Sequence, residues 1–335
     1  MLDIARLERI RLTRYPIYQK AIGQLLRVNY GMLPGVSVEL ENVDRVPAEP
    51  CIFAMNHTDR YNYWPFQYKL WRLLDRFTAT WVKGKYYESR AIGKFMEVTN
   101  QLPTISRGYI ISRDFLELMK RAPTTEEYTV LRKWVDENFE QGGRPEPDPG
   151  FLSDLPDSLL HEKRNVLGRA FEPDQESYPE YVNATFRSMM ERFVVLNRHA
   201  HEIGLDILIF PQGTRSKRLL PSHTGISELA FYLKCPVVPV GCNGSDFAYP
   251  GGSPWASKAE CVYRIGEPIY HGSIPEYEMK ESFQPFTAES DHEYGPRFKD
   301  FANVITHRIN DLLDEPYQLD EDGEGASRNE SDRFI

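Results

Sequence analysis

Short apolar runs, each closed by turn residues, alternate along this chain with longer stretches of helical period. The strand-like runs fall near residues 36–41, 51–55, 77–82, 101–105, 205–210, 236–241 and 259–265. Ile207-Leu-Ile-Phe210 runs straight into a Pro-Gln-Gly-Thr-Arg turn, which is how a buried strand ends and delivers polar groups to one edge of a sheet. Helix-like stretches fall near 3–29, 63–74, 110–121, 180–203, 224–233 and 295–313. Such alternation predicts an α/β fold, a sheet covered by helices on its faces.

Three segments stand apart from this rhythm. In residues 1–30, apolar positions recur at helical spacing from Met1 to Leu12 and again at Ile17, Ile22, Leu25, Leu26 and Val28. Six basic residues accompany two acidic ones there, so the segment is expected to be an amphipathic helix. It either lies on an anionic membrane or packs on the protein's own core. No stretch approaches the roughly 20 apolar residues needed to span a bilayer, and no apolar run of signal-peptide type opens the chain. The expectation is a cytoplasmic protein held peripherally at the inner membrane face. Residues 122–178 also interrupt the alternation, with Gly142-Gly143, the run Pro145-Glu-Pro-Asp-Pro149 and many acids. The tail, 316–335, is acidic and poor in apolar residues, a composition that predicts disorder.

Composition narrows the function classes. A chain of 335 residues with 41% hydrophobic content has room for one sizeable core or two small domains. The formal net charge of -9 argues against a nucleic-acid binder. That charge is unevenly spread: residues 1–122 carry 19 basic and 12 acidic side chains, a net +7, and the remainder carries -16. A basic first third suits an anionic lipid surface or phosphate-bearing substrates. Cys51, Cys235, Cys242 and Cys261 form no Cys-x-x-Cys pair and read as reduced, buried thiols. The histidines show no metal spacing; His199 and His201, two apart in a helical stretch, do not share a face. No metal is expected.

The candidate chemistry sits where apolar runs end. Gly213 allows close approach of a ligand to the backbone. Thr214 brings a hydroxyl, and Arg215 a fork that fits phosphate or carboxylate. Cys51-Ile-Phe-Ala-Met-Asn-His57 is a second run, and a His at a strand end beside a polar turn is placed to act as a general base. Lys83 follows a further apolar run in Thr80-Trp-Val-Lys-Gly-Lys85. For each cation the plain alternative is a solvated surface charge.

Four segments together carry a resemblance: Asn56-His57 with Asn62 at the fifth position after the His, Leu102-Pro-Thr-Ile-Ser-Arg107-Gly108, Phe210-Pro-Gln-Gly-Thr-Arg-Ser216, and Pro236-Val-Val-Pro-Val-Gly241. In this order they resemble the glycerolipid acyltransferases, whose best-known members are lysophosphatidic acid acyltransferases. The resemblance covers roughly residues 35–270 and implies a mixed, mostly parallel sheet flanked by helices. It divides the chain into the helical segment 1–30, an acyltransferase domain of 31–121 with 179–315, an insertion at 122–178 and the tail. It also implies that acyl-coenzyme A or acyl carrier protein acts as co-substrate without a cofactor, and that the acceptor is a lysolipid. His57 takes the role of base, while Arg107, Lys83, Gln212, Gly213, Thr214 and Arg215 bind substrate.

Two positions depart from the family pattern. Asn62 stands where the family has Asp, and Gln212 where it has Glu, so each keeps the shape and loses the charge. An Asn carbonyl can still orient an imidazole, as in Cys-His-Asn proteases. Asp59, two residues after His57, either supplies the missing carboxylate or caps the helix that follows. The lost acids also leave room for a family member that binds lipid or acyl carriers without turnover, and a further alternative is transfer to an acceptor that lacks phosphate.

Overall fold

The computed structural model describes residues 1–31, 35–140 and 155–319. Seven strands form one sheet. They are β1 (Val36–Glu41), β2 (Ile52–Met55), β3 (Thr78–Lys83), β4 (Gln101–Thr104), β7 (Asp206–Ile209), β8 (Val237–Asn243) and β9 (Ala259–Ile265). A short hairpin, β5 (Arg164–Asn165) with β6 (Ala170–Phe171), stands apart. The sheet order is β1-β9-β8-β2-β7-β3-β4. The five strands from β8 to β4 run parallel, β9 is antiparallel to β8, and β1 is parallel to β9. The fold is therefore α/β with a mixed, mostly parallel sheet.

Sequence pattern and strand position agree. The central strands β2 and β7 are buried at every residue, as expected where helices cover both faces. Their side chains alternate between two cores. Ile52, Ala54, Ile207 and Ile209 face one, which holds Ile110 and Phe115 of α5 (Arg107–Met119), Met189 and Phe193 of α8 (Tyr178–Glu202), Leu229 of α9 (Gly225–Leu233) and Phe301 of α10 (Ala288–Asn310). Phe53, Met55 and Leu208 face the other, with Leu26 of α2 (Ile17–Gly31) and Phe66 and Leu70 of α3 (Tyr63–Leu74). Toward the β1 edge, β9 alternates burial, hiding Cys261, Tyr263 and Ile265.

The N-terminal segment is two helices rather than the expected one. The first, α1, covers Ile4–Arg9, and α2 begins at Ile17. Pro16 disfavours helical backbone at Tyr15, and the Asn100 side chain grips the extended link by accepting from Thr13 N–H at 3.1 Å and donating to Thr13 C=O at 2.8 Å. Leu2, Leu7 and Ile10 lie in the main core, so α1 packs on the protein itself. The outer side of α2 stays open, with Ile17, Tyr18 and Leu25 all more than half exposed.

Further helices appear where the sequence rhythm showed none. One is α4 (Arg90–Val98), and another is α6 (Thr125–Glu140), which lies in the stretch that interrupts the alternation. Tyr128, Leu131 and Val135 of α6 are buried in the main core. Leu159 of α7 (Asp157–His161), Leu167 and Phe171 join them. The Gly142-Gly143 pair and the proline run fall outside the described residues. Near the other end, Tyr317 is buried and donates to Asp246 at 2.6 Å, while residues 320–335 again lie outside. No helix among the described residues is long and apolar enough to cross a membrane.

Candidate active site

The carboxyl ends of parallel strands are where open α/β sheets hold ligands, and three sequence motifs meet there. His57 follows β2, Lys83 ends β3, and the Phe210–Ser216 loop follows β7. Since β2 pairs with β7 and β7 with β3, the three endings are neighbours. The two loops are pinned together. Ser216 N–H donates to the His57 carbonyl at 2.9 Å, and His57 N–H donates to Gln212 Oε1 at 3.3 Å. Gln212 is buried, and its Nε2 donates to the Thr214 carbonyl at 2.9 Å. Gly213 makes the turn possible at φ 66°, where a Cβ would stand 2.9 Å from the His223 ring. Thr214 is half-buried beyond it, and Arg215 is exposed at the rim.

The His57 ring stacks on Phe210, centroids 4.0 Å apart, and its Nδ1 lies 3.0 Å from Asn62 Oδ1. Asn62, fully buried, donates from Nδ2 to the Asn56 carbonyl at 2.8 Å. Asp59 does not reach the ring. Its carboxylate accepts from Tyr61 N–H at 2.8 Å and from the Thr58 hydroxyl at 2.9 Å, closing the turn that leads into α3. Arg107 opens α5 beyond the end of β4, behind the N-cap Ser106. Its head turns to α6, where it donates to Asp136 at 3.0 Å and lies 3.5 Å over the Phe139 ring and 4.9 Å from Phe186.

Burial is the main force on the imidazole, and it pulls the His57 pKa down to about 3. The Asn62 bond opposes that shift, while the positive charges of Arg215 and Lys83 add to it. His57 is therefore neutral near pH 7 and holds a free lone pair. A stability consequence follows from the sign. The unfolded imidazole takes up its proton near pH 6.5 and the folded one only near 3, so this group costs nothing above 6.5 and destabilises increasingly as pH falls. At pH 5 the cost should be about 1–2 kcal/mol. Denaturant unfolding at pH 7.5 and pH 5 should show this loss in the native chain and a smaller one in His57→Gln; equal losses would refute it.

Comparison with solved structures adds a likeness. The chain is similar to the 1-acyl-sn-glycerophosphate (LPA) acyltransferase PlsC from Thermotoga maritima, at 15% identity and a TM-score of 0.37, over 81% of this chain and 72% of that one. No family model and no curated protein matches the chain. At that TM-score the likeness carries no weight on its own, and the site rests on its own geometry. Sequence reasoning missed three contributors, Phe210 as the ring partner, Asn56 as the anchor of Asn62, and Tyr263, which donates to the Asn62 carbonyl at 2.6 Å. Asn56 and Phe210 lay inside quoted motifs, so a signal was present for both; Tyr263 lies 201 positions from Asn62 and had none. Among the described residues, no cluster of His, Cys, Asp and Glu could hold a metal ion.

Proposed function

We propose that this protein is an acyltransferase that moves a fatty acyl group from an acyl thioester to the hydroxyl of a lysophospholipid. The observation that carries this reading is the neutral His57 at the carboxyl edge of the sheet, tied to Asn62 through Nδ1 and within the electrostatic reach of Lys83 and Arg215. His57 Nε2 removes the proton of the acceptor hydroxyl. The oxygen attacks the thioester carbonyl, the carbon–sulfur bond breaks, and the thiolate leaves with the proton that His57 returns. Arg215 and Lys83 hold the anionic headgroup. The donor is acyl-coenzyme A or acyl carrier protein, and no cofactor takes part.

A narrow groove runs between α2 and α3, lined by Ile22, Leu26, Tyr63, Trp64, Tyr68 and Trp71. Its free space is only about 40 Å³, too small for an acyl chain with α2 in this position, but one lining residue, Tyr63, packs on Phe210 beside His57. Gly23 lets α2 approach α3 closely, since a Cβ there would stand 2.6 Å from Trp71. Above the groove, the exposed Ile17, Tyr18, Leu25 and Leu73 with Lys20, Arg27 and Arg72 suit an anionic lipid surface, so α2 rests on the inner face of a membrane.

The test is acceptor-dependent release of thiol from acyl-coenzyme A and from acyl carrier protein, with a panel of lysolipids. Transfer that needs a phosphate-bearing acceptor supports the reading. Arg215→Ala should raise the KM for that acceptor roughly tenfold, as expected for a lost charge-assisted bond, and leave an acceptor without phosphate unaffected. Lysolipid binding without turnover with either donor would favour a non-catalytic lipid binder.

A further inference from the structure

The amide at position 62 does more than replace a carboxylate, because each end of it meets a group of fixed polarity. The Asn56 carbonyl can only accept, and it lies 2.8 Å from Asn62 Nδ2. That contact forces the NH2 end of the amide toward Asn56 and the oxygen toward His57. The oxygen can only accept, so His57 Nδ1 must carry the hydrogen, and Nε2 keeps the lone pair. Asn56 is itself immovable. Its side chain donates to the Cys242 carbonyl at 2.9 Å and accepts from Cys242 N–H at 2.7 Å, clamping the end of β2 to β8. The Tyr263 hydroxyl, from β9, holds the Asn62 backbone carbonyl at 2.6 Å.

We propose that Asn56 and Asn62 form a tautomer-setting relay, running from the β8 backbone to His57, and that this relay requires an amide at position 62. The inference rests on the reading of His57 as the base, and it adds Asn56, Asn62 and Tyr263 as positioning residues. A carboxylate at 62 would set an oxygen against the Asn56 carbonyl oxygen at the distance now filled by a hydrogen bond. Restoring the acid common in the resembling family should therefore weaken the site. Gln212 repeats the arrangement, with its oxygen on His57 N–H and its NH2 on the Thr214 carbonyl. The titratable groups that face the relay are Lys83 from β3, Arg215 from the loop after β7, Cys242 from β8, Tyr263 from β9, and Asp59 from the turn itself.

The experiment is nitrogen-15 NMR of the His57 ring in the full chain, with thermal unfolding of Asn62→Asp and Asn62→Ala. The native ring should favour the Nδ1–H form by about tenfold, the ratio of one good hydrogen bond. Asn62→Ala should bring the two tautomers toward equal amounts. Asn62→Asp should lose thermal stability relative to the native chain as pH rises from 5 to 8, because the new carboxyl is tolerated only while protonated. A native ring in the Nε2–H form overturns the proposal, as does an Asn62→Asp protein as stable at pH 8 as the native chain. If Asn62→Asp fails to fold, the tautomer ratio in Asn62→Ala still decides. These readouts need no turnover, so absence of acyl transfer would count against the function and leave the relay standing.

Discussion

Replacing His57 by Ala should lower kcat for acyl transfer by about 10²–10⁴-fold, the usual contribution of a positioned general base. The acceptor KM should change little, because the cations assigned to the headgroup, Arg215 and Lys83, remain. The two loops should also stay joined, since their mutual bonds use the His57 backbone N–H and C=O and not the ring. The ring does stack on Phe210, so Ala leaves a gap; His57→Gln fills more of it and should be equally slow. Steady-state thiol release against acceptor concentration separates kcat from KM. A His57→Ala enzyme within threefold of the native rate would remove His57 from the chemistry.

The largest effect on stability is expected from Arg164→Ala, a loss of about 3–5 kcal/mol. Arg164 makes a two-pronged pair with Asp114 of α5, at 2.9 Å and 2.8 Å, with side chains only 7% and 0% exposed. The Arg164 head also donates to the Leu159 carbonyl at 2.9 Å and lies over the Phe171 ring. Removing the guanidinium strands a carboxylate in the core, which costs far more than the pair itself contributes. Replacing both partners together by apolar residues should restore most of the loss. Denaturant midpoints of the single and double variants check this. The result also bears on the stretch 122–178: a loosely attached decoration would lose less than about 0.5 kcal/mol from any one substitution, as exposed sites do.

Legibility in the sequence followed the locality of the signal. The short apolar runs Ile52–Met55 of β2 and Ile207–Ile209 of β7, each closed by a polar turn, announced buried strands. The range of α3, 63–74, was readable from its own periodicity. Pro16 marked the break between α1 and α2, but the arginine-rich apolar repeat on either side hid it. The apolar stripe of α6 spans Tyr128, Leu131 and Val135 at helical spacing, yet charged neighbours and the glycine and proline runs that follow dominated the composition. At the site, the places of His57 and Gln212 just past strand ends, and of Asn62 at the start of α3, follow from the local motifs that hold them. The engagement of Arg107 was not, since its partner Asp136 is 29 residues away on that unrecognised helix. Nor was the turning of Asp59 away from His57, which depends on whether a short carboxylate bonds its own turn first.

The four cysteines have a chemical consequence of their own. Each is at most 2% exposed, and burial raises every thiol, those of Cys235 and Cys261 to about 12. Thiolate is the reactive form, so the folded protein should be silent toward a thiol-reactive dye while free coenzyme A is stained at once. Any slow staining of the chain then counts molecules that have opened, up to four equivalents each.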